Sequence, residues 1–425
     1  MKVIVYGIGE FYKVNKQILI PESYEVIAFI AEDDKVKETL FENKPIIKLE
    51  DILNWNFEKV IIANSKWIEV EQKVLTYGVV LEDIIIPMFN QKEYKNTLIE
   101  SKIDKLIKNN DKPKLSIICD SNSNFISRFE EYFSRKYYVT FFILNLQESR
   151  IYINKILKYS DICFFEWVAS PLVLASYSDL AKNKPIIARL HRYEVYTPTI
   201  TRINWENIDQ IIFIAKHIKD KFNKKVNLEK NKLKIIYNGF EIDKFTYKER
   251  SKGFNMAYVG IISYRKNIQL ILFLIQELKK IDNNYKLHIA GEFENGEYKD
   301  YIYYMIKCLK IEDNIVFSGR VMDINKWLEN KNYIICSSAS EGHITSIQEA
   351  MLKGIKPIIY NYEGAEEIYP NKFLWNTLNQ ALDMILNSEY NSIEYRNLIE
   401  EKFNIEVKAQ EIMELIEINY RKYIN

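Results

Sequence analysis

The chain reads as an α/β protein built from parallel sheets and divided into three blocks. Short apolar runs of strand length alternate with longer segments of helical period almost throughout, which is the signature of βαβ units. At 425 residues it is long enough for two or three domains, each with its own core. A Lys- and Asn-rich connector, about Asn90–Lys112, separates the first block from the rest. No internal repeat or low-complexity tract interrupts the pattern.

The first block, to about Met88, has strand candidates at Val3–Tyr6, Glu25–Ile30, Val60–Ala63 and Ile84–Ile86. Its Gly7-Ile8-Gly9 follows the first strand as a dinucleotide fingerprint would, and Glu32 or Asp33 follows the second. Tyr12 takes the third glycine position, where a bulky residue should obstruct close helix–strand packing. That favours a scaffold or regulatory domain over a dinucleotide site. The second block carries Leu115–Cys119, Val139–Leu144, Ile162–Glu166, Pro185–Leu190 and Gln210–Ile214. The third begins near Lys232, with Ile235–Tyr237, Met256–Val259, Lys286–Ala290, Ile315–Ser318, Tyr333–Ser337 and Lys356–Tyr360. A polar helical segment, about Tyr390–Tyr423, closes the chain.

Composition excludes several classes. Formal net charge is +1, so nothing global points to nucleic acid or an anionic membrane. With 48% hydrophobic residues the chain is folded rather than disordered. The start, Met1–Tyr6, reads as a strand rather than a basic leader, and the longest apolar run, Ile268–Leu278, is broken by Gln269, Gln276 and Glu277. Cys119, Cys163, Cys308 and Cys336 lie far apart without C-x-x-C spacing, which suits buried thiols in a reducing cytoplasm rather than metal or redox sites.

The most informative run is Glu341-Gly342-His343-Ile344-Thr345-Ser346-Ile347-Gln348-Glu349. Its spacing puts Glu341 in a loop after a strand and Glu349 on the first turns of the next helix, the edge where open α/β sheets bind ligands. Ser346-x-x-Glu349 also fits a capping box, a purely structural role. The run resembles the E-x7-E signature of retaining glycosyltransferases of family four, the group 1 type with the GT-B fold. Asn238-Gly239-Phe240-Glu241 resembles the segment that opens the family's donor domain, and Phe317-Ser318-Gly319-Arg320-Val321 resembles its F-x-G-x-V. Tyr258-Val259-Gly260 with Lys266 matches the family's phosphate-binding glycine and lysine. The usual Arg is replaced by Ile261, and Arg265 stands in the same loop. His191-Arg192-Tyr193-Glu194 resembles the family's segment beside the transferred sugar.

The resemblance, specific over 235–367, implies two facing Rossmann-like domains, 113–231 on the acceptor side and 232–400 on the donor side. A Rossmann-like accessory domain, 1–100, precedes them, and a final helix, 401–425, crosses back. It implies a sugar moved from a nucleotide-sugar donor, such as a UDP-sugar, to a hydroxyl of a glycan, lipid-linked or protein acceptor in envelope polysaccharide synthesis. Anomeric configuration would be retained, without metal or other cofactor; the D-x-D signature of the other major glycosyltransferase fold is absent. His191 would position the sugar and Glu341 orient it. Lys266 and Arg265, beside Gly260, would neutralise the diphosphate. Arg320 and Val321 would face the base, Gly342, Thr345 and Ser346 would offer helix-start amides, and Glu349 would hold the ribose. Glu166 and Trp167 are acceptor candidates, and the Asp120–Asn124 loop approaches the donor phosphate. Residues 216–234 hold eight Lys, readable as a patch for anionic headgroups at the inner membrane face or as a solvated helix and linker. Two rival readings are a non-catalytic homologue serving another transferase, suggested by Ile261, and a dinucleotide-dependent sugar-modifying enzyme working through the first block.

Overall fold

The computed structural model describes every residue except 10, 11, 14, 15, 17, 18, 22, 32–38, 65, 66, 81, 82, 86–90, 110, 121, 122, 322 and 425. For helix residues 67–69, 72, 91–95 and 97 it describes the backbone alone. The chain divides into two compact units, Met1–Asp104 and Lys105–Asn425.

The first unit is a six-stranded sheet of β1 (Lys2–Tyr6), β2 (Glu25–Ile30), β3 (Leu40–Phe41), β4 (Lys44–Ile47), β5 (Lys59–Ile62) and β6 (Ile84–Ile85), in the order β3-β4-β2-β1-β5-β6. All pairs are parallel but β3–β4, a hairpin whose two loop residues, Glu42 and Asn43, both have positive φ. Gly7 has φ +114°, and a Cβ there would stand 2.4 Å from the Ala63 carbonyl oxygen, so only glycine lets the two central strands end side by side. Tyr12 does not obstruct this packing as its size suggested. It is buried edge-on to Phe29 and Phe41, and its hydroxyl donates to Glu42. Glu10, Phe11, Glu32, Asp33 and Ile86 lie outside the described residues.

The second unit holds two more sheets. One comprises β7 (Lys114–Cys119), β8 (Tyr138–Ile143), β9 (Ile162–Glu166), β10 (Ile186–Leu190), β11 (Gln210–Phe213) and β12 (Leu233–Ile235), ordered β12-β11-β10-β9-β7-β8. The other comprises β13 (Asn255–Val259), β14 (Lys286–Ala290), β15 (Ile315–Gly319), β16 (Tyr333–Cys336), β17 (Lys356–Tyr360) and β18 (Leu374–Trp375), ordered β15-β14-β13-β16-β17-β18. Both are wholly parallel, and their strands are near-continuous apolar runs because helices cover both faces. Leu233–Ile235 replaces the expected strand at Ile235–Tyr237. It pairs with β11, so it closes the acceptor-side sheet rather than opening the donor-side one. The two-residue β18 was too short to read.

Helix packing follows the apolar stripe. Ile268, Ile271, Leu272, Ile275 and Leu278 recur at helical spacing and bury one face of Ile268–Ile281 against the donor-side sheet. The polar tail is two helices, Ser392–Phe403 in the donor-side core and Ile405–Ile424, whose Ile405, Ala409, Ile412 and Ile416 pack into the acceptor-side core. The chain turns between them where Phe240 exchanges backbone hydrogen bonds with Phe403 and Ile405. A Cβ on Gly239 would lie 2.8 Å from the Ile405 Cα, so the glycine of the Asn238–Gly239 pair makes room for this crossing.

Each sheet of the second unit reverses its strand order once, between β7 and β9 and between β13 and β16. Ligands of such sheets bind beyond the carboxyl ends of the strands at that switch point. The ends of β13, β14 and β15 meet there through glycine: Gly260 donates its amide to the Ala290 carbonyl, and Gly291 donates to that of Gly319. A Cβ on Gly291 would lie only 1.9 Å from the Gly260 carbonyl oxygen. Gly291→Ala should therefore force the two loops apart and cost about 3 kcal/mol, at the upper end of overpacking effects. Urea denaturation measures it; an unchanged midpoint would show that the loops separate freely.

Candidate active site

The donor-side centre is built on two loops sewn together by backbone. After β13 the chain passes Gly260 and a turn at Tyr264–Lys266. After β16 it passes Ser337 to Glu341. The Ser337 hydroxyl donates to the Lys266 carbonyl at 2.8 Å, and the Ala339 amide donates to the Arg265 carbonyl at 2.9 Å. This stitching aims two cations at one carboxylate: Glu341 Oε1 accepts from Arg265 Nη1 at 2.6 Å and Lys266 Nζ at 2.7 Å. Arg265 also donates to the Ser340 carbonyl at 2.9 Å. Burial alone would raise the Glu341 carboxyl, but Lys266 and Arg265 outweigh it and hold the group below the usual range. Gly260, with φ +144°, leaves space beneath the Lys266 ammonium. Ile261, next to Gly260, is exposed, and its carbonyl accepts from the Tyr258 hydroxyl.

Glu349 lies on the helix Thr345–Leu352, where Ile344 is the N-cap and no side chain caps the start. Ser346 donates its hydroxyl to the Val259 carbonyl at 3.2 Å instead. The capping box is therefore not formed. Thr345 and Ser346 are half-buried at the first turn. Burial pushes the Glu349 carboxyl up to about 7, and Arg128, 3.8 Å away on the acceptor side, draws it partly back. Gly342 is where the halves press together: a Cβ there would meet Ile214 Cδ1 at 2.7 Å and Arg192 Cβ at 3.4 Å.

The acceptor-side centre surrounds His191. Its Nε2 pairs with Glu166 Oε1 at 2.8 Å, and Arg189 donates to the same oxygen at 3.2 Å. Glu194 accepts from the His191 and Val168 amides, and Trp167 stacks on the imidazole at 4.0 Å. Trp167 has φ +80°, a conformation that costs roughly 1–3 kcal/mol in a non-glycine residue and persists where its surroundings enforce it. Glu166 corrects the sequence expectation. It is 0% exposed and committed to Arg189 and His191, so it orients the histidine and cannot reach an acceptor. Trp167 is half-buried against the His191 ring.

Phe293, Tyr303, Phe317, Asn295, Gly291 and Gly319 line a pocket of about 430 Å³ beyond β14 and β15, suited to a planar ring. Arg320 and Val321 are not among its walls; the exposed Arg320 lies just past Gly319. In the loop after β7, Ser121 and Asn122 lie outside the described residues. Of the Lys-rich stretch, Lys221 pairs with Glu363, Lys225 donates to the Val195 carbonyl, and Lys232 donates to those of Trp205 and Glu206. Among the described residues no helix is long and apolar enough to cross a membrane.

Sequence reading missed several residues here. His217 Nε2 donates to the Glu341 carbonyl at 2.8 Å, while Glu367 accepts from the Lys216 amide and the Tyr237 hydroxyl. Arg128 and Arg192 reach the donor-side loops from the acceptor side. The scarcity of histidine was the one signal for His217; Arg192 stands in the His191–Glu194 segment already singled out, without a role given to it, and nothing in its neighbours distinguished Arg128.

The chain is similar to known proteins in two of its segments. Residues 239–404 match the family model of glycosyl transferases group 1, and residues 1–85 match the C2185-like N-terminal family. Protein CapJ of Staphylococcus aureus is 27% identical over 48% of this chain and 49% of its own length. The poly(ribitol-phosphate) alpha-N-acetylglucosaminyltransferase of S. aureus strain COL is 30% identical over 30% of this chain and 27% of its own. The chain thus spans about half or less of these curated relatives. The structure of Anabaena HepE with UDP-glucose superposes with a TM-score of 0.61 at 16% identity, covering 71% of this chain and 99% of that one. That likeness establishes the fold, a GT-B architecture.

The buried Glu349 has a consequence for stability. A carboxyl raised in the folded state from 4.5 to about 7 stabilises the fold at low pH and loses that contribution as pH rises through about 7. The melting temperature of Glu349→Gln, relative to the parent chain, should therefore rise between about pH 5 and about pH 8. Thermal melts at the two values test this; a constant difference would mean that Glu349 is ionised throughout.

Proposed function

We propose that this chain, which carries a group 1 glycosyltransferase domain in residues 239–404, moves a sugar from a nucleotide donor to a hydroxyl acceptor with retention of anomeric configuration. The observation that carries the reading is Glu341 held between Arg265 and Lys266 at the strand-order switch point, one helix turn and a loop before the buried Glu349. A nucleoside diphosphate gains negative charge as it leaves, and Lys266 and Arg265 are already positioned to stabilise that charge. Glu341, ionised because of them, then accepts hydroxyls of the transferred sugar. Glu349 accepts the ribose hydroxyls, and His191, oriented by Glu166, lies against the sugar. The aromatic pocket of Phe293, Tyr303 and Phe317 takes the base.

The bound UDP-glucose of HepE supports a UDP-sugar as donor, and the poly(ribitol-phosphate) named for one relative supports a cell-surface polymer as acceptor. The reading requires no metal, because this chain's own cations meet the diphosphate. Residues 1–100 act as an accessory domain, and the protein works in the cytoplasm or at the inner face of the membrane, with residues 216–234 as the contact.

The carboxylates and the lysine make separable contributions. Glu349→Ala should weaken UDP binding about ten- to a hundredfold, the cost of roughly 1.5–3 kcal/mol in hydrogen bonds to a charged group. Glu341→Ala should abolish transfer while UDP binds as well or better, since it frees Arg265 and Lys266 from their internal partner. Lys266→Ala should lower turnover more than ground-state binding. Calorimetric titration and donor-turnover assays separate the three. Unchanged affinity in Glu349→Ala with normal turnover in Glu341→Ala would end the glycosyltransferase reading.

A further inference from the structure

The loop after β16 receives cations from both halves of the second unit, and they outnumber its carboxylates. Arg265 and Lys266 share Glu341 Oε1. Arg192, from the acceptor-side sheet, reaches the same stretch and donates to the Ser340 hydroxyl at 3.4 Å. Its root is fixed by Gly342, which approaches the Arg192 Cβ, and its guanidinium lies over the Tyr196 ring at 5.5 Å. Among the described residues no carboxylate forms an ion pair with Arg192. Glu194, two residues on, is turned inward to the His191 and Val168 amides. A half-buried guanidinium thus faces that of Arg265 across the cleft, with Glu341 already shared by two other cations. Burial and Arg265 both disfavour its charged form, an arrangement that an entering anion relieves.

We infer that Arg192 is a further donor-binding residue, contacting the diphosphate of the nucleotide sugar from the acceptor side and supplying the cation that Ile261 lacks. The inference rests on the glycosyltransferase reading. Three features commit it to the diphosphate rather than to an acceptor phosphate. The guanidinium, resting on the Tyr196 ring, reaches across to the Ser340 hydroxyl of the donor side. Arg265, whose guanidinium donates to the carbonyl of that same Ser340, is the cation that acts on it, and the family's arginine position carries the exposed aliphatic chain of Ile261. An arginine there also couples the two halves, since donor binding then draws the acceptor side onto the donor side.

The test is calorimetric titration of UDP and of uridine into the full chain, Arg192→Gln and Arg192→Lys. Glutamine keeps the packed stem and can still hydrogen-bond Ser340, so it removes charge with little effect on folding; circular dichroism and melting temperature verify that. Arg192→Gln should weaken UDP about ten- to a hundredfold, the range for one charged hydrogen-bonding group. It should leave uridine affinity unchanged, and Arg192→Lys should recover part of the loss. The Arg192→Gln deficit should also shrink as salt is raised. Parental UDP affinity in folded Arg192→Gln would overturn the inference, as would equal losses for UDP and uridine. Absence of UDP binding by the parent chain would instead overturn the glycosyltransferase reading itself.

Discussion

The Glu341 carboxylate held between Arg265 and Lys266 is the contact on which the rest of the site depends. Neither side of it would be stable alone. An unpaired carboxylate at this depth would take up a proton, and two adjacent cations without it would repel each other. Lys266 is the more buried of the two cations and Arg265 the more solvent-screened, so most of the contact's strength rests on Lys266. The contact in turn rests on backbone. Gly260 and Gly291 let the ends of β13 and β14 approach within contact distance, and the bonds from Ser337 and Ala339 tie the cation loop to the carboxylate loop. The parallel sheet supplies the common edge, the glycines the closeness, and the ion pairs the protonation state.

A second chain of contacts reaches that edge from the other half. His191 pairs with Glu166, Glu166 with Arg189, and Arg189 with the Asn238 side chain; the Asn238 amide then donates to His343 Nδ1. Burial, reinforced by Arg189, pushes His343 down to about 3, so it stays neutral and can accept that bond. The network is not fully satisfied, since the buried Arg189 Nε and His343 Nε2 have no hydrogen-bond partner. Here the network runs from the histidine expected beside the sugar to the residue two positions beyond Glu341. The two halves of the second unit are thereby linked through the protein interior.

Much of the architecture was legible because parallel strands buried on both faces must be apolar throughout. β2, β9, β14 and β17 start and end where their sequences indicate. What failed to show was short or set by distant partners. The β3–β4 hairpin turns at Glu42-Asn43, which lacks the glycine that usually marks such a loop. The segment Leu233–Ile235 reads equally as the start of one domain or the end of another, and only its pairing with β11 decides. At the site, spacing revealed Glu341 and Glu349 because both lie on one strand–loop–helix unit. Arg128, Arg192 and His217 come from another sheet, and no local pattern records a partner more than a hundred residues away. Glu166 was misread for the same reason: its position at a strand end is visible in the sequence, but its burial against Arg189 is not.

The two carboxylates of the central run show what the fold adds to a motif. As residues they are identical, and each sits near the same sheet edge. Their surroundings push them in opposite directions. Glu341, drawn down by two cations, is a fixed negative charge, whereas Glu349, raised by burial to about 7 with Arg128 at a distance, sits near the midpoint of its titration. Divergent environments of paired titratable groups are how one site assigns two roles to one residue type. A fixed charge suits a group that must hold hydroxyls beside a developing cationic centre through the whole reaction. A carboxyl poised near neutrality changes charge within the physiological pH range, which Glu341 does not. The spacing between the two is written in the sequence; the difference in their charge exists only once Lys266, Arg265 and the helix packing are in place.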